Sequence, residues 1–177
     1  MVGLGNPGPE YAATRHNAGY WLADALAPHW QFPPFRRGER ARVAEGQVDG
    51  VSVRLLKPTT YMNASGAALA SLRADPAFDP VTDLLILVDE FRIPCGTFRL
   101  RADGSAGGHN GLKSIEGALQ SQAYARLRIG VGPLPEGVTD WSEYVLAPFT
   151  PEQQEQVEAA IPQMVDAVTH WVKGDAR

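Results

Sequence analysis

The residues able to do chemistry in this chain are few, and the densest group lies near its start. His16 stands eight residues after the glycine-rich turn Gly3-Leu4-Gly5-Asn6-Pro7-Gly8, with Tyr11, Thr14 and Arg15 between them. An imidazole titrates near neutrality and suits general-base work, and here an aromatic ring, a hydroxyl and a fixed cation accompany it. Asp89 follows the apolar run Leu84-Leu85-Ile86-Leu87-Val88, and three asparagines, Asn6, Asn63 and Asn110, fall in loop-like segments. Neutral amides both donate and accept hydrogen bonds, which suits a substrate rich in ester, amide and hydroxyl groups. A second histidine, His109, sits in the flexible stretch Gly107-Gly108-His109-Asn110-Gly111.

Residues 3–8 satisfy G-x-G-x-x-G, so a dinucleotide site is the first reading to test. That fingerprint needs its third glycine to open a helix whose N-terminus receives the pyrophosphate. Pro7, Gly8 and Pro9 delay the helix, and the amphipathic run Tyr20-Trp21-Leu22-Ala23-Asp24-Ala25-Leu26 begins about a dozen residues late. A nicotinamide-dependent oxidoreductase is therefore the weakest alternative. The chain has no G-x-S-x-G, H-E-x-x-H, C-x-x-C or G-x-x-x-x-G-K-[ST], so serine-elbow, zincin, zinc-ribbon and P-loop chemistry lack their signatures. No metal or cofactor site is implied.

The elements that must position these residues read as one α/β domain. At 177 residues, 44% hydrophobic and 20% charged, the chain can bury one sizeable core. Asp49-Gly50 between two β-prone runs, residues 40–48 and 51–56, is a strong hairpin signal. Residues 28–38 form a proline-rich connection whose Trp30, Phe32 and Phe35 read as packing groups. Residues 64–72 read as a small-residue helix with Asn63 as a candidate cap. Residues 84–88 read as a strand buried on both faces, with Asp89 at the carboxyl end where open α/β sheets place ligand-binding groups. Residues 103–111 form a flexible loop entering a helix over 112–120, and 126–132 read as another strand. Thr150 and Pro151 open a closing helix whose apolar set is Val157, Ile161, Met164, Val165, Val168 and Trp171, with His170 at the surface.

Net charge is −4, which argues against a protein coated in nucleic acid but leaves room for a local basic patch. Arg99 and Arg101 alternate along a strand, with Lys113, Arg126 and Arg128 soon after; the spacing alone fits ordinary surface charge equally well. Cys95 is the single cysteine, which rules out an intramolecular disulfide and suits a reducing compartment; it reads as a buried small apolar residue. There is no signal-peptide pattern and no run long enough to span a bilayer. Taken singly, His16 is a structural histidine, His109 a loop hydrogen-bonder and Asn110 a helix cap.

Taken together, in order, these blocks resemble the bacterial peptidyl-tRNA hydrolases. The likeness comprises residues 3–8, then Tyr11 with Thr14-Arg15-His16-Asn17-x-Gly19, then Lys57-Pro58-x-Thr60-Tyr61-Met62-Asn63-x-Ser65-Gly66. It continues through Asp89-Glu90, Gly107-Gly108-His109-Asn110-Gly111-Leu112-Lys113, Arg128-Ile129-Gly130-Val131-Gly132 and Tyr144-Val145-Leu146. The resemblance implies a single domain over 1–177 with a mixed, twisted central sheet flanked by helices on both sides. It also implies hydrolysis of the ester joining a peptide to the 3′-terminal ribose of tRNA, by a cytoplasmic monomer without cofactor, metal, membrane or obligate protein partner. His16 matches the general base and Asp89 its orienting carboxylate. Asn6, Tyr11, Met62, Asn63, His109 and Asn110 match substrate-binding positions, and Arg99, Arg101 and Arg128 match positions facing tRNA phosphates. A non-catalytic RNA-binding module of the same fold, as in organellar splicing factors, is the rival implication. Two departures stand out: Arg92 occupies a position where an acid is common, and Phe91 one where an aliphatic residue is. Only Met1 precedes the Val2 block, so the expectation is a short first strand or a start lying upstream.

Overall fold

The computed structural model describes residues 1–174. Its strands are β1 (Val2–Gly3), β2 (Arg36–Arg37), β3 (Ala41–Val48), β4 (Val51–Pro58), β5 (Leu85–Pro94), β6 (Phe98–Arg101) and β7 (Ala125–Gly132). Its helices are α1 (Ala18–His29), α2 (Ala70–Arg73), α3 (Pro80–Asp83), α4 (Asn110–Leu119), α5 (Trp141–Leu146) and α6 (Pro151–Lys173). One sheet joins the strands in the order β2-β3-β4-β1-β5-β7-β6. Its centre, β4-β1-β5-β7, is parallel, while the β2-β3, β3-β4 and β6-β7 pairs are antiparallel. The mixed sheet expected from the resemblance is thus the sheet observed.

Helices cover both faces. On one, Leu22 and Leu26 of α1 and Met164 and Val168 of α6 pack with Leu85, Leu87, Leu127 and Ile129. On the other, Leu112 and Ile115 of α4 pack with Val2, Leu4, Ile86, Val88 and Met62. The alternation of Leu85, Leu87 against Ile86, Val88 is the two-residue pleat of a strand buried on both faces. Strand β1 is short, and its tight neighbour decides its composition. A Cβ on Gly3 would come 2.5 Å from the Gly19 carbonyl, and one on Gly19 would come 2.4 Å from the Leu87 carbonyl. Only glycine at both positions lets α1 lie against β1 and β5 this closely.

Several elements differ from the sequence expectation. The hairpin turn is as expected, with φ of 51° at Asp49 and 80° at Gly50, the positive pair a type I′ turn requires. Residues Met62–Leu69, however, form a 3₁₀ segment, and only Ala70–Arg73 are α-helical. Ser65 Oγ donates to the Met62 carbonyl at 2.7 Å, a local bond that competes with the α-helical pattern. Asn63 is exposed and is not the cap. The proline-rich connection contains the two-residue strand β2, while α3 and α5 were not legible in the sequence. Strand β5 runs on through Pro94 with a register shift after Glu90. The closing helix starts as expected: Thr150 and Gln153 form a reciprocal capping box, with Pro151 at the first helical position. Cys95 is half-buried, and burial pushes its thiol up, away from nucleophilic use.

Candidate active site

The site forms just beyond the end of β1, whose Gly3 pairs with Leu87 of β5, two residues before Asp89. Asp89 extends from β5, and a 3₁₀ turn over Arg15–Asn17, just ahead of α1, brings His16 to it. His16 Nδ1 lies 2.8 Å from Asp89 Oδ2, with both residues buried. Beside it, with the ring centroids 4.8 Å apart, His109 lies with its Nε2 2.8 Å from Asp89 Oδ1. The second nitrogen of His109 settles its tautomer, because Nδ1 accepts from the backbone N–H groups of Gly111 (3.0 Å) and Leu112 (3.3 Å). An accepting Nδ1 places the proton on Nε2, so His109 donates to Asp89. With His16 also donating through Nδ1, its Nε2 keeps a free lone pair.

The charges follow from this geometry. Burial alone would push the Asp89 carboxyl up, but the flanking His16 and His109 hold it well below the usual carboxylate range. Burial works to lower the His16 pKa, yet the charge and hydrogen bond of Asp89 outweigh it and raise the value above 6.5. His16, Asp89 and His109 are also grouped closely enough for their donor atoms to approach an ion. Each short contact is nevertheless a complementary donor–acceptor pair centred on Asp89, which accounts for the grouping.

A further set of hydrogen bonds fixes Asn6. The Asn6 backbone N–H donates to Asn17 Oδ1 at 2.9 Å, and Asn17 Nδ2 donates back to the Asn6 carbonyl at 3.0 Å. Asn6 Oδ1 accepts from the Met62 N–H at 2.7 Å, which leaves its Nδ2 without a protein acceptor among the described residues. Gly111 joins the same centre: a Cβ there would lie 2.6 Å from Met62 Sδ and 2.9 Å from His109 Cε1. Asn63 and Asn110, next in sequence to Met62 and Gly111, are exposed at this rim. Tyr11 meets Tyr61 edge-to-face at 6.3 Å. The cap of α4 is His109, not Asn110.

That Asn17 holds Asn6 was not visible in the sequence, since the two lie eleven positions apart and only folding pairs them. The basic positions divide in two. Arg99 and Arg101 are exposed on edge strand β6, in register with Arg128 and Arg126 of β7. Arg128 is half-buried and pairs with Glu90 at 3.0 Å. Arg126 is fully buried and donates to the carbonyls of Gln122, Tyr124 and Ser105, so its place in a surface patch is corrected. Lys113 is exposed on α4.

The family model that matches this chain is that of peptidyl-tRNA hydrolase, over residues 1–177. The chain belongs to the peptidyl-tRNA hydrolase family. A peptidyl-tRNA hydrolase of Gemmatimonas aurantiaca is 45% identical over 174 residues, covering 97% of this chain and 92% of the relative. That of Gloeobacter violaceus is 48% identical over 171 residues, covering 95% and 84%. Among solved structures, the Acinetobacter baumannii peptidyl-tRNA hydrolase aligns with a TM-score of 0.88 at 35% identity, over 98% of this chain and 87% of that one. A complex of peptidyl-tRNA hydrolase with N-propanol gives a TM-score of 0.90 at 36% identity, over 99% and 88%. The family expected from the order of the motifs is the family found, and the chain is a hydrolase of that family.

Proposed function

We propose that His16 is the general base that activates water against the ester joining a peptide, or an N-blocked amino acid, to the 3′-terminal ribose of tRNA. The observation that carries this reading is the 2.8 Å bond from His16 Nδ1 to buried Asp89, which leaves Nε2 as the proton acceptor. Nε2 takes a proton from water as the oxygen attacks the ester carbonyl carbon. The proton then passes to the departing ribose oxygen, giving free tRNA and a peptide acid. An ester has a better leaving group than an amide, so an activated water suffices without a covalent intermediate; a positioned base of this kind contributes about 10²–10⁴-fold. Asp89 holds the tautomer and stabilises the imidazolium that forms.

Asn6, fixed by hydrogen bonds with Asn17 and Met62, offers its Nδ2 to substrate. Asn63 and Asn110 offer amides from the rim, with Tyr11, Met62 and His109 around them. Arg99 and Arg101 contact tRNA phosphates beside the acceptor end, and Arg128, already sharing Glu90, backs them. In this reading the whole chain works as one domain and as a monomer in the cytoplasm, with no obligate protein partner. No described helix is long and apolar enough to cross a membrane.

The test is release of free tRNA from a mixture of N-blocked and unblocked aminoacyl-tRNA, comparing wild type with His16→Ala at equal folded concentration. Selective cleavage of the blocked ester, lost in the variant, is the expected result. Binding of tRNA without cleavage by wild type would overturn the reading in favour of an RNA-binding module.

A further inference from the structure

His109 can aim at Asp89 only if the segment before it holds its shape, and that segment is rich in glycine. Gly104, Gly107 and Gly108 take φ values of 145°, 58° and 85°, conformations available to glycine because it is flexible. Its anchors are guanidinium groups. Arg92 Nη2 donates to the Gly107 carbonyl at 3.1 Å, Arg128 Nη2 to the Ser105 carbonyl at 3.2 Å, and buried Arg126 to the same Ser105 carbonyl at 3.3 Å. Two of these arginines share one carboxylate. Glu90 Oε2 accepts from Arg92 Nη1 at 3.3 Å, and Oε1 accepts from Arg128 Nη1 at 3.0 Å.

We propose that Glu90 is a positioning residue for hydrolysis: by fixing Arg92 and Arg128 it holds the Gly107 and Ser105 carbonyls, and so aims His109 at Asp89. The inference rests on the reading of His16 and Asp89 as the reacting pair. Glu90 is suited to this because it follows Asp89 on β5, and the pleat sends neighbouring side chains to opposite faces. One acid serves the imidazoles and the next serves the guanidiniums. The Glu90 side chain is only 9% exposed, so its charge acts on both arginines with little screening by solvent. Arg92 adds what lysine lacks: two nitrogens of one planar fork reach Glu90 and Gly107 at once. Its guanidinium also lies 4.5 Å from the centre of the Phe91 ring, and Phe91 stacks on Trp141 at 5.8 Å and 12°. A Cβ on Gly108 would lie 3.7 Å from Trp141, so the same stack borders the segment from its other side. Both sequence departures, Phe91 and Arg92, belong to this brace.

The experiment measures kcat and KM on N-blocked aminoacyl-tRNA for Glu90→Gln, Arg92→Ala, Arg92→Lys and His16→Ala, with the proton resonance of His109 Nε2–H followed by NMR. Arg92 is mostly exposed, so Arg92→Ala remains informative even where Glu90→Gln folds poorly. The expected result is a fall in kcat of about 10- to 100-fold, as misplacement of a supporting group produces, with KM unchanged and the Nε2–H resonance weakened. Arg92→Lys should behave like Arg92→Ala. Wild-type kcat in Glu90→Gln and Arg92→Ala, with His16→Ala inactive, overturns the positioning role alone; an active His16→Ala overturns the reading beneath it. A loss confined to KM and relieved at low salt makes Arg92 a phosphate contact and also overturns the inference.

Discussion

His109 does two jobs with one ring, and each fixes the other. Capping α4 through Nδ1 forces the proton onto Nε2, and that proton is what Asp89 accepts. The jobs separate by substitution. His109→Ala should lose both the cap, at about 1 kcal/mol, and activity, whereas His109→Asn should recover the cap's stability without recovering kcat. Denaturant melts alongside kinetics check this, and equal activity in His109→Asn and wild type would sink it. For His16 the sign follows from its pKa, which Asp89 raises above 6.5. As the proposed base it works unprotonated, so kcat/KM should fall as pH drops through that raised value, placing the acid limb higher than an ordinary imidazole's. Asp89→Asn removes the charge that raises it, and should move the limb down while lowering the plateau by about 10²–10⁴-fold. A pH–rate profile with an unmoved limb in Asp89→Asn would refute the assignment. Asp89 itself has the opposite linkage: its lowered pKa stabilises the fold above the unfolded value of about 3.9, and that contribution is lost as pH falls from there toward the folded value.

At the scale of elements, the site depends on how closely α1 lies against the sheet, because the turn holding His16 leads directly into α1. Gly19→Ala would drive a Cβ to within 2.4 Å of the Leu87 carbonyl and 2.6 Å of the Leu4 N and carbonyl oxygen, all of them backbone atoms that cannot swing aside. The expected outcome is the loss overpacking causes, about 1–3 kcal/mol or more, with kcat falling alongside. A Gly19→Ala protein with wild-type melting and rate would show that α1 can retreat freely. This closeness was legible only as an x-Gly19 in a matched block. What the sequence does reveal is local chemistry: Asp49-Gly50 as a turn, Thr150-Pro151 as a helix start, and the continuous apolar run Leu84 to Val88 as a buried strand. What it hides is whatever needs a distant partner. Asn17 finds Asn6 only through the fold, histidine is an uncommon cap, and residues 62–69 carry good α-helix formers yet wind as 3₁₀. There Gly66 lies against α4, where a Cβ would come 2.3 Å from the Ser114 carbonyl. Asp89 and His16 were visible as types and His109 as a candidate, but that one carboxylate holds both imidazoles was not.

Across the whole molecule, the net charge of −4 conceals a basic edge. The β6–β7 register sets Arg99 opposite Arg128 and Arg101 opposite Arg126, four cations on one face of an antiparallel pair. Like charges placed directly opposite destabilise a sheet, and the two inner arginines are relieved by different means: Arg128 by Glu90, Arg126 by backbone carbonyls. Neither Arg99 nor Arg101 has an ion pair among the described residues, so their charge is available to an RNA phosphate. Each phosphate contact steepens the dependence of log K on log salt by about 0.7–0.9. Tightness of tRNA binding should therefore fall with salt, and Arg99→Ala and Arg101→Ala should each flatten the slope by roughly one contact's worth. Arg126→Met should leave the slope alone, because its guanidinium is buried, and should instead loosen the segment around Ser105 and lower kcat. Binding isotherms across a salt series decide the matter: unchanged slopes in both outer variants, or a flattened one in Arg126→Met, would place the phosphate contact elsewhere on the protein.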